Sequence, residues 1–336
     1  MACGASPAPS ARGETLARNG NHTQVIIETH ALRREFGKTV AVDNLDMTIY
    51  QGEVFGLVGP DGAGKTTSLR LLAAIMDPTR GTATVAGFDT IRQPESIKEK
   101  IGYMAQSFSL YRDLSVEENI NFFADVYGVS GQVRKDRIQR LLEFARLTEF
   151  RKRRAGQLSG GMQKKLGLAC TLIHEPEILY LDEPTTGVDP VSRREFWDIL
   201  TSLHVRGVTI VVSTPYMDEA ERCSRIGLMY DGRLIECDTP AAIRQRVPGR
   251  VLQVWTDDRL KARTILQQTA GLNEVQSYGE LLHVFVDDVE VGRRTITEAL
   301  NKEGVQVKSM RQVEPRVEEA FISLIRHREA EDEQHG

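Results

Sequence analysis

Apolar and polar positions alternate with a period of two at several places before residue 60, and this sets the first expectation. Val25-Ile26-Ile27 opens a strand, and Val40-Ala41-Val42 and Leu45-Asp46-Met47-Thr48-Ile49 keep the alternation of half-buried strands. Val54-Phe55-Gly56-Leu57-Val58 is different, a continuous apolar run of the kind that suits a parallel strand covered on both faces. It leads into a glycine-rich segment and then an amphipathic stretch over 66–76, so the order reads strand, loop, helix.

Farther along, charge and helical spacing rise. Val116-Glu117-Glu118-Asn119-Ile120 and Arg137-Ile138-Gln139-Arg140-Leu141-Leu142 predict a helical insertion over about 90–160. Apolar runs return at 178–181 and 208–213, each after a helical stretch, which is the alternation of a parallel α/β sheet. The composition breaks near Arg246-Val247-Pro248-Gly249. Beyond it the pattern predicts strand 251–255, helix 260–268, strands 274–278 and 281–286, helix 291–302, strand 305–311 and helix 317–327. The order βαββαβ plus a helix matches a small ferredoxin-like α+β domain over 249–328. Residues 23–246 form the first domain, 329–336 a charged tail, and 1–22, rich in Ala, Ser, Pro and Gly, a disordered one.

Composition narrows the classes. A length of 336 residues favours two domains. With 43 Lys and Arg against 47 Asp and Glu, the formal charge of −4 supplies no field for gathering polyanions, which argues against nucleic acid as a partner. The most apolar stretches, 71–76 and 166–173, fall far short of the roughly 18 consecutive residues of a bilayer span. Cys3, Cys170, Cys223 and Cys237 lack the CxxC spacing of zinc or redox sites and fit a reducing compartment.

The strongest chemical signal is Gly59-Pro60-Asp61-Gly62-Ala63-Gly64-Lys65-Thr66-Thr67, which fits GxxxxGK[ST] between a strand and a helix. Backbone N–H groups of such a loop cradle phosphates, the lysine reaches the β/γ-phosphates and the hydroxyl serves Mg²⁺. Leu158-Ser159-Gly160-Gly161-Met162-Gln163 precedes a helix and offers a hydroxyl and open amides to an anion. Ile178-Leu179-Tyr180-Leu181-Asp182-Glu183-Pro184 is a buried strand ending in two carboxylates, Asp182 suited to Mg²⁺ and Glu183 to orienting or deprotonating water.

With these motifs in this order, residues from about Gln24 to Arg244 resemble the ATP-binding cassette (ABC) family. The expected fold is the P-loop NTPase cassette: a parallel-sheet core, an antiparallel β subdomain and a helical insertion. The resemblance implies ATP and Mg²⁺ as ligands, Glu183 as the catalytic carboxylate, and Thr66, Gln106 and Asp182 around the metal. It implies Phe36 stacking on adenine, a D-loop at Gly187-Val188-Asp189-Pro190, and a second cassette whose nucleotide would be closed by Ser159, Gly160 and Gly161 in trans. Residues 108–119 would lie on the surface that grips a transmembrane partner, although Ser115 capping toward Glu118 explains part of the pattern locally.

The GPDGAGKTT loop, Tyr216-Met217-Asp218-Glu219-Ala220-Glu221 and the run from Pro315 to Ile322 resemble more narrowly the ATPase subunits of ABC-2-type exporters, the drug-resistance and multidrug group. The implied setting is a peripheral subunit at the cytoplasmic face of the inner or plasma membrane, energising permease subunits on separate chains. Two departures stand out. Asp61 occupies a position more often Asn or Ser, and Pro215 stands where the family places a switch histidine for the γ-phosphate. Proline offers neither a side-chain donor nor an N–H. Of the other histidines, His174 and His204 read as solvated or capping residues. The rival readings are a degenerate cassette that pairs with an active one, and a soluble ABC ATPase acting on nucleic acid or ribosomes.

Overall fold

The computed structural model describes residues 24–107, 110–247 and 249–335. The segment 1–22, expected as a disordered tail, lies outside them, as do Phe108, Ser109 and Pro248.

The early strands are longer than their periodicity suggests: β1 (Val25–Phe36) and β2 (Thr39–Tyr50) run 12 residues each and pair antiparallel. Ala31 and Asn44 have positive φ, and the register shifts between Thr29 and Leu32 and between Leu32 and Arg34, so the chain bulges and continues. After β3 (Val54–Val58) and α1 (Lys65–Leu72), β4 (Arg80–Val85) and β5 (Phe88–Asp89) complete an antiparallel sheet of order β2-β1-β4-β5.

Next come α2 (Pro94–Lys100) and β6 (Ile101–Met104). β6 pairs in parallel with a strand of the central sheet, so the stretch expected as helical insertion from about 90 first contributes a core strand. The helices α3 (Val116–Val126), α4 (Gly131–Phe144) and α5 (Gly160–Thr171) follow. Ser115 and Glu118 close a full capping box at the start of α3.

The central sheet is completed by β7 (Ile178–Asp182), α6 (Pro190–Val205), β8 (Thr209–Thr214), the short α7 (Met217–Ala220), β9 (Arg225–Tyr230) and β10 (Arg233–Asp238), then α8 (Pro240–Gln245). Its order is β10-β9-β3-β8-β7-β6, parallel except for the β9–β10 hairpin. Alternate residues sort to two cores. Phe55, Leu57, Tyr180 and Val211 pack toward the antiparallel sheet, whereas Val54, Val58, Leu179, Leu181, Ile210 and Val212 pack toward Phe196, Trp197 and Leu200 of α6. Burial on both faces is why these strands read as unbroken apolar runs.

Past residue 249 come β11 (Arg250–Thr256), α9 (Arg259–Gln267), β12 (Glu274–Tyr278), β13 (Leu281–Val286), α10 (Val289–Lys302), β14 (Val307–Val313) and α11 (Val317–His335). The strands form an antiparallel sheet of order β12-β13-β11-β14, with α9 and α10 packed on Leu252, Val254, Leu282 and Val284. The helix expected over 317–327 continues to His335 and takes in most of the run read as a charged tail. Val317, Ala320 and Phe321 of α11 share a core with Ala220, Ile243 and Val247, so apolar packing crosses the composition break.

Candidate functional site

Parallel pairing gathers the carboxyl ends of β3, β8 and β7 side by side, where an open α/β sheet binds ligands. The glycine-rich loop leaves β3 there and enters α1 through Gly64 at φ 96°. A Cβ on Gly64 would sit 2.3 Å from the Ala41 carbonyl oxygen, and one on Gly59 2.2 Å from that of Met229, so neither position admits a side chain. Ala63 is buried within the loop, Thr67 is half-buried, and Pro60, Asp61 and Gly62 are exposed at its tip.

Lys65 is almost fully buried, and its ammonium donates to the carbonyl oxygens of Gly59 and Pro60, each at 2.9 Å, and lies 3.5 Å from Glu183 Oε1. Thr66 Oγ1 donates to Asp182 Oδ1 at 2.8 Å. The same oxygen accepts from Ser213 Oγ at 2.8 Å, and Oδ2 accepts from the Tyr103 hydroxyl at 3.2 Å. Burial, and next the charge of Asp182, push the Tyr103 hydroxyl up to about 12, which keeps it a donor. Gln106 Nε2 donates to Glu183 Oε2 at 2.8 Å, and the Glu183 backbone, at φ 45°, is held by N–H bonds to Ser213. The five expected residues Lys65, Thr66, Gln106, Asp182 and Glu183 therefore form one connected group.

Ser213 and Tyr103 belong to that group and carry no motif. Their signal is positional: Ser213 is the register partner of Asp182 across β7–β8, and Tyr103, next to last in β6, is the register partner of Tyr180. Lys164 is a further addition, with its ammonium 2.7 Å from the Gln106 carbonyl oxygen and its pKa lowered by burial.

Elsewhere the expected residues separate. Phe36 ends β1 with a ring 46% exposed and Arg34 stacked 4.8 Å from its centre, so it fills no core and stays open to a planar ligand. Ser159 caps α5 by accepting from Met162 N–H at 3.3 Å; it and Gly160 are exposed, whereas Gly161 is buried against Ser192. Asp189 caps α6 through the N–H groups of Val191 and Ser192, bonds that hold its carboxyl below the usual range. His174 is neither solvated nor a cap: it stacks on Tyr127 and meets the Ile101 carbonyl oxygen at 2.9 Å. Burial lowers its pKa.

Around Pro215 the neighbouring groups are already engaged. The buried Thr214 hydroxyl donates to Glu219 Oε2 at 2.7 Å and accepts from Tyr216 N–H. Glu219 also accepts from Thr185 at 2.5 Å, and Arg193 lies over the Tyr216 ring. The Thr214 hydroxyl is therefore committed to Glu219, and the Tyr216 backbone N–H to Thr214.

The ABC transporter family model matches residues 42–186. The chain is 45% identical over 285 residues to the probable multidrug ABC transporter ATP-binding protein YbhF of Escherichia coli, a match spanning 85% of this chain and 49% of that protein. The chain thus spans about half the length of that relative. It is 34% identical to the daunorubicin resistance ATP-binding protein DrrA2 of Streptomyces coeruleorubidus, over 90% of this chain and 95% of that one. The Nod factor export ATP-binding protein I of Burkholderia lata is 36% identical over 79% of this chain and 87% of its own length. Among solved structures, cbiO1 of Clostridium perfringens superposes with a TM-score of 0.62 at 26% identity, covering 66% of this chain and 92% of that one. The dimeric cassette MJ0796 bound to ADP and Pi gives 0.59 at 26% identity, covering 64% and 98%. With the phosphate loop, the paired carboxylates and the signature helix on one cassette fold, the chain belongs to the family of ABC transporter ATP-binding proteins.

Proposed function

We propose that this chain binds and hydrolyses ATP to energise an exporter whose membrane-spanning domains lie on separate chains. The observation that carries the reading is the hydrogen-bonded group of Lys65, Thr66, Gln106, Asp182 and Glu183 at the mouth of the phosphate loop. The relatives' names, which speak of multidrug transport, daunorubicin resistance and Nod factor export, support the exporter assignment. Among the described residues no helix is long and apolar enough to cross a membrane, which accords with a peripheral subunit at its cytoplasmic face.

The residues present fit Mg²⁺. The Thr66 hydroxyl and Asp182 carboxylate are hard oxygen donors already in contact, and Mg²⁺ typically takes one or two carboxylates, filling its shell with phosphate oxygens and water. Bound there, the ion would neutralise charge developing on the β- and γ-oxygens. Lys65 exchanges its contacts with the Gly59 and Pro60 carbonyls for the phosphates, the N–H groups from Gly62 to Thr67 cradle them, and Phe36 stacks on adenine. Glu183 orients the attacking water and takes its proton, with Gln106 fixing the carboxylate from the other side.

A second cassette completes each site through the exposed Ser159 and Gly160, a reading supported by the dimeric relative. Because Pro215 has no donor and the Thr214 hydroxyl is committed to Glu219, neither residue supplies a switch donor at either site of a symmetric pair. A heteromeric pair gains one competent site from a partner that has the histidine. Residues 249–328 are read as a ferredoxin-like domain in a regulatory or dimer-supporting role, on the strength of the strand order β12-β13-β11-β14.

The test pairs turnover with capture. Lys65→Ala abolishes Mg-ATP binding or turnover and leaves the circular dichroism spectrum unchanged; unaltered nucleotide affinity removes the phosphate-loop assignment. The tagged chain recovers permease subunits from solubilised membranes, and recovery of ribosomes instead overturns the exporter reading.

A further inference from the structure

Two adjacent lysines on α5 face different partners. Lys165 pairs with Glu195 of α6, tying the signature helix to the helix that follows the D-loop. Lys164 turns the other way and donates to the Gln106 carbonyl oxygen at 2.7 Å. Gln106 then donates from its side chain to Glu183 Oε2 at 2.8 Å, and the other oxygen of Glu183 lies 3.5 Å from Lys65. An unbroken polar path thus leads from the signature helix to the carboxylate beside the phosphate loop.

The path matters because its ends serve different nucleotides. Ser159 and Gly160, one turn before Lys164, face a partner's nucleotide, whereas Glu183 faces the chain's own. An exposed lysine contact usually contributes little, since solvent competes for the ammonium. Lys164 is half-buried beside an exposed Gln106, and the carboxylates of Asp182 and Glu183 both act on its ammonium, so its contact is short and charge-assisted although open to solvent on the Gln106 side. Its acceptor is the backbone of the very residue whose side chain holds Glu183, so displacing the carbonyl displaces the amide. A shift approaching 1 Å at a water-orienting group is enough to slow chemistry substantially.

We propose that Lys164 is a positioning residue for hydrolysis: it fastens Gln106, and through it Glu183, to the signature helix, coupling the two nucleotide sites of a cassette pair within one chain. The proposal rests on the ATPase reading above. Lys164 acts through the Gln106 backbone and not on the reacting atoms. It sets where Glu183 sits, so its loss acts on the rate of the chemical step and leaves nucleotide affinity alone.

The experiment uses the full chain, with kcat, KM and the dissociation constant of a fluorescent ATP analogue measured for Lys164→Met, Lys164→Arg, Gln106→Ala and the Gln106→Ala/Lys164→Met double variant. Lys164→Met is expected to lower kcat about tenfold with KM and analogue affinity held within about twofold, the size of loss typical of supporting contacts. Lys164→Arg restores most of the rate. The double variant is no slower than Gln106→Ala, because without the amide there is nothing left to position. Amide hydrogen exchange of the nucleotide-free chain across 102–107 rises in Lys164→Met and returns in Lys164→Arg, a readout that needs no turnover.

Unchanged exchange or unchanged kcat in Lys164→Met, or strictly additive losses in the double variant, overturns the assignment. Turnover that survives Lys65→Ala overturns the ATPase reading instead. Turnover that Lys65→Ala abolishes and Lys164→Met leaves intact overturns only the role of Lys164.

Discussion

The phosphate-loop side and the signature side of this cassette are built on opposite plans. On the first, the reactive groups are already tied to one another: Lys65 to Gly59, Pro60 and Glu183, Thr66 to Asp182, Gln106 to Glu183. On the second, the Ser159 side chain makes a single cap bond and Gly160 is exposed, with room for a Cβ, which would meet only the Gly187 carbonyl oxygen, at 3.9 Å. A buried cation and carboxylate must be satisfied within the chain, or the cost of taking them out of water destabilises the fold. Neutral amides at an exposed helix start carry no such penalty and can wait for an anion. On the proposed pairing of cassettes, half of each nucleotide site is stabilised by folding and the other half by assembly.

The largest expected effect falls on the tied side. Glu183→Gln keeps the shape of the side chain and the contact with Gln106 but cannot take a proton. Turnover is expected to fall about 10²–10³-fold, ~2.7–4 kcal/mol of transition-state stabilisation, while nucleotide stays bound and the closed pair accumulates. Size-exclusion chromatography with ATP together with phosphate release checks this. A variant that hydrolyses at the parent rate breaks the assignment.

On the open side, adjacent glycines should behave differently. A Cβ on Gly161 would lie 2.5 Å from the Ser192 Cβ, so Gly161→Ala has to push α5 from α6, at about 1–3 kcal/mol by the usual cost of overpacking. Gly160→Ala has room. It is expected to leave Tm where it was and slow turnover by obstructing the partner's nucleotide. Thermal melts and turnover on both variants test the contrast; equal losses of Tm would show that Gly160 is also packed within the chain.

How much of this was legible depended on whether a residue's role is local. The strands at 178–181 and 208–213 read clearly because burial on both faces leaves nothing but apolar residues, and the carboxylates after Leu181 announce themselves by contrast. The strands β9 and β10 are as long as β8, but the sequence reading passes over them; their signal is the Asp231-Gly232 pair, both at positive φ, which turns the hairpin. Ser213 is an ordinary strand-end serine until the register sets it against Asp182. The composition break near 246–249 separates the two domains in the sequence because proline and glycine mark turns. Phe321 packing beside Ile243 and Val247 is a long-range contact that no local pattern encodes. Deleting the chain beyond Val247 would uncover that core, so Phe321→Ala alone should lower stability, by about 3 kcal/mol or less given that some exposure remains, as a denaturant titration would show.

The smallest effect concerns Pro215, where a gap on the tied side would make the chain lean on its partner. Its neighbours are held in place: Thr214 donates to Glu219, Glu219 accepts from Thr185, and Arg193 covers the Tyr216 ring. The Gly59 N–H donates to the Thr214 carbonyl oxygen at 3.3 Å, so the loop carrying residue 215 is fastened directly to the phosphate loop. A side chain placed there would thus be presented by a backbone already fixed, without the ordering cost that usually offsets a new hydrogen bond. Pro215→His is therefore expected to raise the turnover of the purified chain about tenfold, ~1.4 kcal/mol, with little change in KM. If the unmodified chain already turns over briskly and the histidine adds nothing, both halves of the site are complete in the symmetric pair, and the case for a heteromeric partner falls with the result.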